Sequence, residues 1–187
     1  MALDWIAGHR PKAGHEVEFQ EIVATLFWDR LGTADSTAAS RAGRNRLPRA
    51  LFGRTSAVRK PSEALRKRYD AIGILASDTL GMLRGGDDAG GAAALSFDAQ
   101  GLTATTAIIG DHLLRACYEV KYAPDLSAFG NALSVRVGAF VKAKGLDVPA
   151  LPPPDSASPE GQLHIVDAAS RWCRFWGERG HLLVPSF

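Results

Sequence analysis

The residues most able to do chemistry form an arginine-rich segment in the first third of the chain. No acidic residue occurs between Asp35 and Glu63. The basic residues of this interval are Arg41, Arg44, Arg46, Arg49, Arg54, Arg59 and Lys60. Because like charges held close together repel, they must stay solvated, pair with acids of the chain or bind an outside anion. Arginine suits the last role, since its planar guanidinium binds phosphate and carboxylate groups through two parallel hydrogen bonds.

The formal net charge of +2 hides a strong asymmetry. Extended to Arg68, the basic segment holds ten basic residues and one acid, whereas the rest of the chain has twelve basic and nineteen acidic residues. The segment therefore has three possible partners: the acidic body of its own chain, nucleic-acid phosphates, or an acidic protein or phosphorylated small molecule. Neither a recognition helix nor aromatic strands of an RNA-binding fold accompany it, so sequence-specific nucleic-acid binding is not predicted. Arg171, Arg174 and Arg179 are candidates to extend the segment into a larger cationic patch.

Two histidines are candidates for acid–base chemistry. His164 shares one helix face with Glu160, Asp167 and Arg171 by i,i+3 and i,i+4 spacing. Metal sites in helical bundles need such carboxylate–histidine faces on several helices, and this face occurs on one, so intrahelical ion pairs explain it equally well. His112 has no neighbouring catalytic group along the chain, and a general base needs one.

No catalytic residue, metal site or cofactor is predicted. The serines and cysteines lack the motifs of known nucleophiles. The glycine-rich run 85–91 has aspartates in place of the lysine and hydroxyl of a phosphate loop. Cys117 and Cys173 have no metal-ligand spacing and are expected to be buried free thiols. With Asp4 near the start and no long apolar run, the chain is expected to be soluble and cytoplasmic, without a membrane partner.

The alanine-rich composition favours helices. We expect an all-α, single-domain bundle of about five helices over 1–187, with a possible short hairpin near 95–104 as the alternative start of the third helix. Irregular stretches are expected at 1–14, at the basic loop 33–60, at the proline-rich linker 146–158 and at the apolar tail 181–187. The predicted helices run from His15 to Gly32, from Pro61 to about Arg84, from Ser96 or Asp98 to Val120, from Pro124 to Gly145, and from Pro159 to Gly180.

These observations predict a small helical binding or assembly protein whose basic segment engages an anionic partner. An enzyme acting on an anionic small molecule, with His112 or His164 as acid or base, is one alternative. A protein that binds nucleic acid without sequence specificity is another. The apolar tail either packs on its own bundle or forms a homo-oligomer interface, because exposed apolar patches of this size are uncommon in monomers.

Overall fold

Six α-helices and five short strands form the described part of the chain, which in this computed structural model covers residues 3–27, 62–81, 93–149, 152–153 and 155–187. The helices are α1 (Glu16–Leu26), α2 (Glu63–Ile72), α3 (Ala76–Gly81), α4 (Thr106–Ala116), α5 (Ala123–Lys144) and α6 (Pro159–Glu178), with a 3-10 helix at Gln100–Thr105. The strands are β1 (Asp4–Ala7), β2 (Arg10–Pro11), β3 (Gly73–Ile74), β4 (Ser96–Asp98) and β5 (Leu183–Ser186). The fold is mostly helical as predicted, but the all-α class is wrong because two antiparallel sheets are present.

The larger sheet joins opposite ends of the chain in the order β4-β1-β5. Strand β1 lies in the predicted loop 1–14, and β5 is formed by the predicted tail. Residues of β1 alternate between exposed and buried, so that Trp5 is fully buried while Ile6 is 43% exposed. Trp5 faces Phe97 on one side and Pro185 on the other. The tail therefore packs within its own chain, as one of the two sequence-based expectations has it.

A strand replaces the predicted hairpin near 95–104. Strand β4 pairs with β1 instead of a neighbouring segment, and the 3-10 helix follows it directly. Helix α4 consequently starts at Thr106, later than predicted. Gly110 within it has a φ of +76°, a value that glycine tolerates best, and this interrupts the regular helix.

The predicted helix from Pro61 is also shorter than expected, because α2 ends at Ile72 and β3 follows. Strand β3 pairs with β2 to form the second sheet. A Cβ placed on Gly73 would lie 2.8 Å from His9 Cβ. The absence of a side chain at Gly73 thus allows β3 to approach His9. The helical spacing of the apolar residues in this stretch did not indicate this strand.

Helices α5 and α6 agree with the prediction at both ends. Gly145 adopts a φ of +65° immediately after α5, and the Ser158 hydroxyl accepts a hydrogen bond from the Gly161 N–H at the start of α6. The two helices cross closely at Gly130, where an added Cβ would lie 3.0 Å from Cys173 Cβ. Their shared core includes Trp5, Leu126, Leu133, Leu163, Trp172 and Trp176.

A second, smaller apolar cluster joins α1 to α2. Its buried members are Phe19, Ile22, Val23, Tyr69, Ile72, Val120 and Leu182. Because Leu182 immediately precedes β5, this cluster fixes the helix pair against the larger sheet. No helix in the described ranges is long and apolar enough to cross a membrane.

Candidate functional site

The basic segment is attached to the body through the α1–α2 pair. Its seven candidate residues, Arg41 to Lys60, lie outside the described residues. The described residues on either side of it are Phe27, just after α1, and Ser62, whose hydroxyl caps α2. Tyr69 of α2 stacks on Phe19 at 5.3 Å and lies edge-on to Phe27 at 6.2 Å between ring centroids. The two helices that flank residues 28–61 along the chain are therefore packed against each other.

Glu18 of α1 and Glu63 of α2, the helices on either side of the segment, already have cationic partners. Arg68 donates to Glu18 through Nε (2.6 Å to Oε1) and Nη2 (2.8 Å to Oε2), a bidentate pair between α2 and α1. This contact lowers the pKa of the Glu18 carboxyl. Lys67 pairs with Glu63 at 2.8 Å. Glu18 and Glu63 are thus each paired with a cation of α2.

Arg171 and Arg174 both lie on α6, three residues apart. Arg171 Nε is 3.0 Å from Asp167 Oδ2, the i,i+4 pair that the sequence indicated. The stem of Arg174 covers Gly130 of α5, and its Nε is buried without a hydrogen-bond partner among the described residues. Arg179 is bound differently, since its guanidinium lies 3.7 Å above the Phe175 ring centroid and Nη1 donates to the Phe175 carbonyl at 3.0 Å. Whether these arginines extend the basic segment into a larger patch stays a prediction, because residues 28–61 lie outside the described residues.

The two histidines predicted as candidates for acid–base chemistry, His112 and His164, lie on different helices. His112 is exposed on α4. His164 is half-buried, and its Nδ1 lies 3.2 Å from the Pro149 carbonyl oxygen. Neither forms an ion pair with a carboxylate in the ranges that the structure describes.

A different histidine occupies the centre of the fold. His181 is fully buried between α6 and β5, with its ring 5.1 Å from the Trp176 ring centroid. Nδ1 lies 2.7 Å from the Gly8 carbonyl oxygen, and Nε2 lies 2.8 Å from Thr79 Oγ1. Because a carbonyl can only accept, Nδ1 carries the proton, and neutral Nε2 accepts from the Thr79 hydroxyl. The result is a hydroxyl–imidazole–carbonyl chain that fixes the orientation of the ring.

His9 lies close to this chain, between β1 and β2. Its backbone N–H donates to the Tyr69 hydroxyl at 3.2 Å, and its Nε2 lies 3.8 Å from Asp70 Oδ1. Burial lowers the pKa of His9 despite the nearby carboxylates of Asp70 and Asp78. Burial also lowers the pKa of His181, and the positive charges of Arg10 and Arg179 contribute to this effect. Both imidazoles are consequently neutral near pH 7, the state in which they can accept protons.

The sequence alone does not predict that His9 and His181 lie close together. Gly8, Thr79 and His181 come from three distant parts of the chain. Pairing of β1 with β5 brings Gly8 close to His181, and pairing of β2 with β3 brings in the helix that carries Thr79. Along the sequence, the one local signal is a glycine before each histidine, Gly8 before His9 and Gly180 before His181. This signal marks turns rather than chemistry.

Metal binding has no geometric support here, since no group of three or more His, Cys, Asp or Glu side chains in the described ranges is arranged to hold an ion. Cys117 and Cys173 are free and buried, and burial raises the pKa of Cys117 to about 12. Both thiols are therefore unreactive as nucleophiles near neutral pH. Comparisons with protein families, with curated proteins and with solved structures gave no match.

Proposed function

We propose that this chain is a small binding protein whose basic segment engages an anionic partner. The observation that supports the proposal is the run between Asp35 and Glu63, which holds seven basic residues and no acid. Glu18 and Glu63, on the two flanking helices, are already paired with Arg68 and Lys67. The acid-free run between Asp35 and Glu63 offers no alternative partner of its own. An outside anion would relieve the remaining repulsion.

The acidic body of the chain is the competing partner. The described residues hold more acidic than basic side chains, so the segment has an attractive surface within its own molecule. Exposed ion pairs contribute only about 0–1 kcal/mol each. Binding of a polyanion is more favourable in free energy than such an intramolecular pair, because each phosphate or sulfate that binds releases condensed counterions. Intramolecular pairing therefore weakens binding of a polyanion but does not prevent it.

Heparin and duplex DNA serve as two probes of this proposal, with affinity measured between 50 and 200 mM salt as in a standard counterion-release experiment. The test variant replaces four arginines of the segment with glutamine: Arg41, Arg44, Arg46 and Arg49. The control variant makes the same change in net charge at four exposed basic residues of the body: Arg115, Arg136, Lys142 and Lys144. Circular dichroism confirms that each variant is folded.

The segment variant should lose affinity for the polyanion, and the slope of log K against log salt should become shallower by about 3–4, since each contact contributes about 0.9 for a duplex. The control should keep nearly the wild-type slope. Binding of heparin and DNA alike would indicate a general polyanion preference, whereas selective DNA binding would indicate nucleic acid. Equal losses in both variants would refute a role for the segment.

A second candidate, an enzyme acting on an anionic small molecule, is favoured by one observation. Thr79, His181 and the Gly8 carbonyl have the order of a nucleophile, a base and an orienting group. Thr79 is 7% exposed and His181 is fully buried, which limits access to the hydroxyl. Labelling with a fluorophosphonate probe tests this candidate: a Thr79 adduct that disappears in His181→Phe supports it, and absence of labelling refutes it.

A further inference from the structure

Arg10 carries a buried guanidinium nitrogen that has no partner in the described part of the chain. The residue begins β2, where its backbone pairs with Ile74. Its stem packs near Gly180, since a Cβ placed there would lie 3.7 Å from Arg10 Cδ. Nε is shielded from solvent and donates to no described acceptor, and no described carboxylate lies within ion-pair distance of the side chain.

The neighbours of Arg10 make its surroundings electropositive. Arg10 and Arg179 both act on His181, whose ring nitrogens are already occupied by Gly8 and Thr79. Arg179 is held over Phe175 and thus supplies a fixed positive charge nearby. The carboxylates of Asp70 and Asp78, which act on the neighbouring His9, are exposed to solvent.

A buried N–H without an acceptor, such as Arg10 Nε, is costly because burial removes water from the polar group without supplying a partner. Arginine also presents a rigid fork that matches the two oxygens of a carboxylate or phosphate. We propose that Arg10 anchors a binding site for a small oxyanion, a phosphate or carboxylate group, at the junction of the two sheets. This site is distinct from the basic segment and depends on fixed geometry rather than on charge density.

Isothermal titration with inorganic phosphate, and separately with succinate, tests the proposal in a buffer free of other oxyanions. The variants are Arg10→Met, which keeps the stem without the charge, and Arg10→Lys, which keeps the charge without the fork. Arg136→Met is the matched control, because Arg136 is exposed on α5 and contacts no described acid. Repeating the titration on the four-glutamine segment variant separates this site from the proposed function.

Wild type should bind phosphate or succinate saturably with one site per chain. Arg10→Met should weaken binding about tenfold or more, Arg10→Lys should be intermediate, and Arg136→Met should match wild type. The segment variant should retain the binding even if its heparin affinity is lost. Preference for one of the two probes would identify the oxyanion that the site selects.

Three results would overturn the proposal. The first is no saturable binding of either probe to wild type. The second is unchanged binding in Arg10→Met. The third is a marked loss of folding stability in Arg10→Met without any oxyanion present, because this would mean that the guanidinium has a partner within the chain. If heparin binding failed while phosphate binding persisted, only the proposed function of the segment would be refuted.

Discussion

Replacing His181 with phenylalanine tests its two hydrogen bonds, which join the residue to Gly8, just after β1, and to Thr79 of α3. We call this contact the junction. Phenylalanine places an apolar ring of similar size beside Trp176, but the Gly8 carbonyl and the Thr79 hydroxyl lose their partners. A buried polar group left unsatisfied costs about 1–3 kcal/mol. Two such groups give an expected loss of about 2–6 kcal/mol in the free energy of unfolding, measured by urea denaturation at pH 8.

A double-mutant cycle with Thr79→Val makes this prediction specific. In wild type, removing the Thr79 hydroxyl leaves His181 Nε2 without a donor and should destabilise the fold by about 1–2 kcal/mol. In the His181→Phe background, the hydroxyl is already unpaired, so the same change should be neutral or stabilising. His112→Gln alters an exposed histidine and should change stability by less than about 0.5 kcal/mol. Additive effects of the two substitutions would refute the hydrogen-bonded chain.

The pH dependence of stability supplies an independent readout. Burial lowers the pKa values of His9 and His181 below their ordinary value of 6.5, so the unfolded chain takes up protons first as the pH falls. Stability is therefore complete above pH 6.5 and declines below it, by at most about 1.4 kcal/mol per pH unit for each histidine. Glu16 and Glu18, whose pKa values are lowered from 4.5, titrate below a window of pH 5.5–8. His181→Phe should flatten the decline in this window, and a wild type more stable at pH 5.5 than at pH 8 would contradict the reasoning.

Two further predictions concern the helices that support the junction. Gly130→Ala should destabilise the fold by about 1–3 kcal/mol, because the added methyl group meets α6 at 2.9–3.0 Å, whereas Gly138→Ala on the same helix meets nothing within 4 Å and should stabilise by about 0.5–1 kcal/mol. Thermal unfolding of the pair checks both signs, and equal shifts would contradict the close helix crossing. Ser158→Ala should cost about 1 kcal/mol in urea unfolding, since it removes the N-cap of α6, while Ser158→Asp should keep most of the stability.

The sequence predicted best those elements whose ends are marked by their own residues. Helix α6 begins with Ser158 and Pro159, and α5 ends at Gly145, so local conformational preferences define these boundaries. The Asp167–Arg171 pair followed in the same way from helical spacing. These features need no knowledge of distant residues.

The sheets and the junction depended on contacts between distant parts of the chain. The stretch 1–14 was predicted to be irregular, but the strand that contains Trp5 pairs with residues near 97 and 185. Short strands carry too little alternation to be distinguished from loops, and nothing local specifies their partners. For the same reason, the Thr79–His181 contact and the isolated Arg10 became visible only in the folded chain.

Ionic strength distinguishes the two proposed modes of anion binding. The basic segment would act through many charges and no required geometry. Its affinity should fall steeply with rising salt, because release of bound counterions becomes less favourable. Arg10 lies in a partly buried position where a fixed fork meets one oxyanion, and charges shielded from water are screened less than exposed ones. Heparin binding that disappears at high salt while phosphate binding persists would therefore separate the segment from the junction. Because Arg10 depends on the β2–β3 sheet and the Gly180 turn, its affinity should follow the folding of the body, whereas affinity of the segment should follow its charge.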